Sequence, residues 1–202
     1  MTVALDRENL RLILETISQG FESAETVVDE TGEEKTVVHT RRPNKTIAMA
    51  LWTEAMLGIR ISDVVKLRLC DIVREKGRYH LNIVEQKTGK HRSFVVPAEV
   101  YATLEDYRKE QGIGEEDRLF PLQPRVIQKH LKLTREYLEL KDISTHSFRK
   151  NAGAEIYEQS GHDIEIVRQF FQHSSVATTQ RYLGVGREKV DAAILKREKI
   201  DF

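Results

Sequence analysis

The chain has 202 residues, with 32 Lys and Arg against 32 Asp and Glu and 40% hydrophobic side chains. That is a size and composition for one globular domain with a core of its own. No run approaches the roughly 18–20 apolar residues of a membrane-spanning helix. The start, Met-Thr-Val-Ala-Leu-Asp-Arg-Glu, carries no basic flank followed by an apolar stretch, so no signal peptide is expected. A single cysteine, Cys70, excludes an internal disulfide framework and fits a reducing cytoplasm. The zero net charge hides an asymmetry: residues 1–40 hold nine acidic and three basic side chains, leaving +6 for residues 41–202. The total therefore does not exclude a nucleic-acid partner.

In chain order, Leu10, Ile13, Leu14 and Ile17 recur at helical spacing behind Asp6, which predicts a capped amphipathic helix over 6–17. Thr26-Val-Val and Thr36-Val-Val flank a polar segment and predict a β-hairpin turning near Gly32. Asn44 to Leu57 reads as a strongly apolar helix stopped by Gly58, and Ser62 as the cap of a short helix with Val64, Val65 and Leu67. Three short strands follow, around Ile72-Val73, Tyr79–Val84 and Ser93–Val96, with turns at Lys76-Gly77 and Thr88-Gly89. Pro97 ends the sheet. Helices are predicted over 98–110, 124–138, 146–159, 163–172, 175–183 and 187–199. The fold class is mainly α with one small three-stranded antiparallel sheet.

His146-Ser-Phe-Arg149 places two side chains on one helical face. With Ser144 or Thr145 as cap, both fall in the first turn, where backbone N–H groups and the helix dipole favour an anion. The planar arginine fork suits a phosphate. A second arginine, Arg60, stands between the Gly58 turn and a helix start, with Asp63 one turn on. Lys87 and Lys90 flank the second turn of the sheet. His173 precedes Ser174-Ser175, and Tyr182 follows nine residues later. On one unbroken helix those two would lie about 13–14 Å apart, too far to share a phosphate, so a bend at Ser174-Ser175 is required. Two arginines, two histidines and a tyrosine suffice for metal-free attack on a phosphodiester: the arginines neutralise charge, the histidines handle protons and the tyrosine attacks. No HExxH, CxxC or HxH spacing points to a metal, and no P-loop is present. His39, His80, His91, His130 and His162 read as surface or structural residues.

Taken together, these residues resemble the catalytic domain of the tyrosine recombinases, the phage-integrase family, over about residues 5–185. The resemblance implies a single catalytic domain over 1–202 with a hairpin insertion at 22–42. It implies that Arg60 and Arg149 clamp the scissile phosphate, that His173 donates to it, and that Tyr182 attacks to leave a 3′-phosphotyrosyl link. His146 would be the proton partner of the tyrosine, and Asp63 would orient a cation. Lys87, with Lys90 as the alternative, would protonate the leaving 5′-oxygen. The reaction would need neither cofactor nor metal. The partners would be double-stranded DNA and further copies of the chain, a tetramer on recombining DNA and a monomer when free. The segment 187–200 would dock on a neighbouring protomer. The N-terminal core-binding domain usual in the family is expected to be absent, because the chain begins almost directly at the catalytic domain. The alternatives are a type IB topoisomerase-like activity that relaxes supercoils, and a non-catalytic helix-turn-helix regulator built on residues 163–183.

Overall fold

Helix α1 (Arg7–Gln19) starts where the Asp6 carboxylate accepts a hydrogen bond from the Asn9 backbone N–H at 2.7 Å, filling one of the donors a helix start leaves open. Its Ile13 and Ile17 are buried. Gly20 then turns the chain with φ +77°, and a Cβ there would sit 2.4 Å from the Arg41 carbonyl oxygen, so glycine is required. Strands β1 (Phe21–Val28) and β2 (Glu34–Arg41) pair antiparallel, with Phe21 opposite Arg41. This is the expected hairpin. The computed structural model describes residues 4–28 and 34–184, together with Leu195.

Helix α2 (Lys45–Leu57) is capped by Asn44, whose side chain accepts from the Ile47 N–H at 2.9 Å, and is stopped by Gly58 in the left-handed region. It is buried on nearly every side through Ile47, Ala50, Leu51, Ala55 and Leu57, the pattern of a central core helix. Each fully buried isoleucine or leucine among them stabilises the fold by about 1.5–3 kcal/mol relative to exposure.

The short helix α3 (Ile61–Val64) departs from expectation. Its N-cap is Arg60, and Ser62 lies inside the helix. The Ile61 N–H is satisfied from a distance, by the Glu54 carboxylate at 3.1 Å. A buried acceptor one helix earlier has replaced the local cap that Ser62 was expected to supply.

After a 3₁₀ turn at Leu69–Asp71 come β3 (Ile72–Glu75), β4 (Arg78–Val84) and β5 (His91–Val96), hydrogen-bonded in that order. Ile72, Leu81 and Phe94 align across the three strands and face the core, whereas Val73, His80 and Val95 align on the opposite face. Helices α4 (Ala98–Glu110) and α5 (Pro124–Tyr137) follow, the second opening with Pro124 in its first turn. Phe21 stacks on Tyr137 with ring centroids 4.5 Å apart, anchoring the hairpin to α5.

The contacts of the chain gather into two units, 1–151 and 152–202. Helix α6 (Thr145–Gln159) runs from the first into the second. The core of the first unit joins Ile13, Ile17, Leu51, Leu81, Leu104, Ile127 and Phe148. In the second, α7 (Ile164–Phe171) is capped by Asp163, and α8 (Val176–Leu183) by Ser175, whose hydroxyl accepts from the Thr178 N–H at 3.3 Å. The segment 187–200 lies, Leu195 apart, outside the described residues. No helix among the described residues is long and apolar enough to cross a membrane.

Candidate active site

The side chains that the sequence points to fall in two groups, one in each unit. The first centres on Glu85, which follows β4 directly. Its carboxylate, 2% exposed, accepts from Arg60 Nη1 at 2.6 Å and from the Thr88 hydroxyl at 2.8 Å through Oε2. Through Oε1 it meets Arg92 Nη1 at 3.3 Å and lies 4.0 Å from Arg149 Nη1. Burial by itself would raise the Glu85 carboxyl, but the hydrogen bonds from Arg60 and Thr88 and the nearby guanidiniums outweigh it and hold the group below its ordinary value.

Three guanidiniums thus share one carboxylate. Arg92 is 1% exposed, and its pKa falls to about 10, first through burial and then through repulsion by Arg149. It stays charged at neutral pH. Arg92 Nη1 also donates to the Gly58 carbonyl at 3.2 Å and its guanidinium lies over Phe94 at 4.8 Å, so it ties β5 to the turn that presents Arg60. Arg149, on α6, is 3% exposed.

The Asp63 carboxylate accepts from the Gln86 backbone N–H at 2.9 Å, which fixes the start of the turn carrying Lys87. Glu54 is buried beside the same cluster, and its carboxyl is pushed well above its ordinary value, chiefly by desolvation.

Lys87 is exposed on the 86–88 turn, with Gly89 at φ +66° completing the reversal. His146 is open to solvent in the first turn of α6. Its pKa is nonetheless lowered, first by desolvation and then by the charges of Arg149, Lys87, Arg60 and Lys150. The structure therefore brings Arg60, Lys87, His146 and Arg149 within electrostatic reach of one another. A cleft of about 280 Å³, lined by Arg135, Ile143, Ser144 and Thr145, opens beside His146.

The second group belongs to the 152–202 unit. The helix break falls where the spacing required it: α7 ends at Phe171, Gln172 turns left-handed with φ 53°, and α8 begins at Val176. His173 sits in that break. Arg168 Nη1 donates to its carbonyl at 2.9 Å, and its ring Nδ1 shares a 3.0 Å hydrogen bond with the Thr179 hydroxyl. The His173 and Tyr182 rings meet edge to face with centroids 5.4 Å apart. Phe171 supports both, stacked on His173 at 5.3 Å and edge-on to Tyr182 at 4.9 Å. Gly153 makes room for this packing, since a Cβ there would lie 2.6 Å from the Phe171 ring.

Glu85, Arg92, Phe171, Thr179 and Gly153 were not singled out in the sequence. The one available signal is positional: Glu85 and Arg92 flank the turn that carries Lys87.

The fold matches the crystal structure of XerA recombinase with a TM-score of 0.64 at 18% identity, covering 99% of this chain and 66% of that one. It matches the catalytic domain of bacteriophage HP1 integrase with a TM-score of 0.60 at 14% identity, covering 98% and 96%. The family model described as "Phage integrase family" matches residues 40–188, and the chain belongs to that family. Among curated relatives, tyrosine recombinase XerC of Xanthomonas axonopodis pv. citri (strain 306) is 30% identical over 132 residues, 62% of this chain and 42% of the relative. The probable integrase/recombinase YoeC of Bacillus subtilis (strain 168) is 28% identical over 143 residues, 67% of this chain and 76% of the relative. The chain thus spans less than half the length of XerC.

Proposed function

We propose that this chain is the catalytic domain of a site-specific DNA recombinase that cleaves and rejoins duplex DNA through a 3′-phosphotyrosyl intermediate. The observation that supports this most is the cluster of Arg60, Arg92 and Arg149 around Glu85, next to the Lys87 turn, in a chain of this family.

Arg60 and Arg149 neutralise the non-bridging oxygens of the scissile phosphate, where negative charge builds up in the transition state. The Tyr182 oxygen attacks phosphorus and its proton passes to His146, which the lowered pKa keeps neutral at pH 7 and able to accept it. The bond from phosphorus to the 5′-oxygen breaks, and Lys87 gives that oxygen a proton. His173 donates a hydrogen bond to the phosphate. The phosphotyrosyl link conserves bond energy, so a second strand's 5′-hydroxyl reverses the step without ATP. The net +6 of residues 41–202 favours a DNA partner.

XerH has been crystallised bound to its difH substrate, and lambda integrase as a dimer on a core site. By analogy the chain works on DNA in the cytoplasm as an oligomer. Four copies would act together on two duplexes, with 187–200 docked on a neighbour. The test is a duplex nicked close to the scissile phosphate, so that the released fragment diffuses away and the covalent complex accumulates. Peptide mapping is expected to find the 3′-phosphate on Tyr182, with EDTA present or absent. Attachment elsewhere, or cleavage that chelation abolishes, contradicts the reading.

A further inference from the structure

We infer that Glu85 is a positioning residue for the whole cation cluster, setting both the phosphate-facing forks and the turn that carries Lys87. The inference rests on the catalytic reading above and extends it to a residue that the reaction itself does not require.

A carboxylate here is at first sight the wrong choice. It places a negative charge beside a site meant for a phosphate, and so weakens DNA binding. What it supplies is geometry. Three guanidiniums gathered without an anion would repel one another and swing outward. Glu85 holds Arg60 at 2.6 Å, Arg92 at 3.3 Å and Arg149 at 4.0 Å using two oxygens. Among the described residues Arg60 makes this one hydrogen bond, through Nη1, so its Nε–Nη2 edge remains for a paired contact with phosphate oxygens. Three positive charges against one negative still leave the cluster cationic.

The same residue fixes the lysine turn. The Glu85 N–H donates to the Lys90 carbonyl at 3.0 Å, the Gly89 N–H donates to the Glu85 carbonyl at 2.8 Å, and the Thr88 hydroxyl donates to Oε2 at 2.8 Å. Lys87 lies inside that loop of bonds. A shift of Glu85 therefore moves the clamp and the lysine together, and a displacement of about 1 Å at such groups costs on the order of 10²-fold in rate.

Glu85→Gln keeps the shape and removes the charge. The expected result is that cleavage and affinity separate. Single-turnover cleavage falls about 10²-fold, while affinity for the same duplex is unchanged or tighter and its salt dependence steeper, because one negative charge has gone. A residue that merely supports the fold would lower both together. Cleavage within about threefold of wild type, or binding lost in parallel with cleavage in a protein of unchanged melting temperature, overturns the inference.

Should Glu85→Gln fail to fold, Thr88→Val removes one bond to the carboxylate at an exposed turn position. It is expected to lower cleavage about 3–10-fold with melting and binding unchanged, and wild-type cleavage by it overturns the inference. Tyr182→Phe, run alongside, separates the two levels. If it still attaches to DNA, the catalytic reading fails. If it is inert while Glu85→Gln cleaves normally, the positioning role alone fails.

Discussion

The cation cluster and the histidine–tyrosine pair solve the same problem by different physics. Arg60, Arg92 and Arg149 come from three distant stretches of chain and are held by charge, on a single buried carboxylate. His173 and Tyr182 come from one short stretch and are held by shape, against the ring of Phe171. Charge tolerates small errors of packing but fails when a partner is removed, since a buried ion without its counter-ion is costly. An aromatic support is indifferent to charge and fails when a single extra carbon is inserted. The two regions should therefore break under different substitutions.

The largest effect belongs to the arginines. Arg60→Ala or Arg149→Ala is expected to lower single-turnover cleavage by about 10²–10³-fold or more, the scale of losing one charge-stabilising donor. Lysine should rescue poorly, because a point charge lacks the paired donors of the fork. Near-wild-type cleavage by both lysine variants would show that net charge alone matters in this region.

Acidity should act on the charged region through His146. His146 has its folded pKa held below the ordinary 6.5, so protonation opposes both folding and its role as proton acceptor. Its contribution to stability is complete above the ordinary value and is lost as pH falls from there through the lowered value. Cleavage should accordingly be level near pH 7 and decline only on acidification below the ordinary histidine range. His146→Gln should flatten that decline. A rate profile between pH 5 and 8 checks it, and a midpoint above 6.5 would contradict the electrostatic environment described.

Gly153→Ala is the corresponding test of the aromatic region. The added carbon meets Phe171 at 2.6 Å, so overpacking should cost about 1–3 kcal/mol of stability. Cleavage should fall by about tenfold as the His173 and Tyr182 rings are displaced. DNA affinity should hold, because the cation cluster is untouched. Thermal melting and binding measured together would reveal a loss of affinity, which this account does not allow.

The smallest effect is expected at the hairpin. Tyr137→Ala removes its stack on Phe21 and should lower stability by about 0.5–1.5 kcal/mol beyond the area lost. Cleavage should stay within about twofold of wild type. A large loss of cleavage would give the β1–β2 hairpin a part in catalysis.

How legible each region was follows from the same contrast. Helices α1 and α2 carry their own signals, in Asp6 and Asn44 as caps and Gly58 as a stop, and the three strands alternate between turns at Gly77 and Gly89. The bend between His173 and Tyr182 was readable because helical rise forbids a shared phosphate without one. Local rules were enough there. They were not enough at α3, where Ser62 looked like the cap and the Ile61 N–H is in fact met by Glu54. Nor could spacing identify Glu85 as the centre of the cluster. A glutamate in a turn reads as solvated, and its burial depends on Arg60, Arg92 and Arg149 arriving from elsewhere in the fold. The bond from the Gln86 backbone N–H to Asp63 joins residues 23 positions apart, and no local rule gives it.

The most direct test of the central claim is Tyr182→Phe on a nicked duplex, with covalent attachment, DNA affinity and circular dichroism measured on the same preparation. The substitution removes one hydroxyl and leaves the ring that packs on Phe171 and His173. The account predicts an unchanged spectrum, unchanged affinity and no covalent complex. A covalent complex formed by the phenylalanine variant would contradict it, and would assign the nucleophile to another residue.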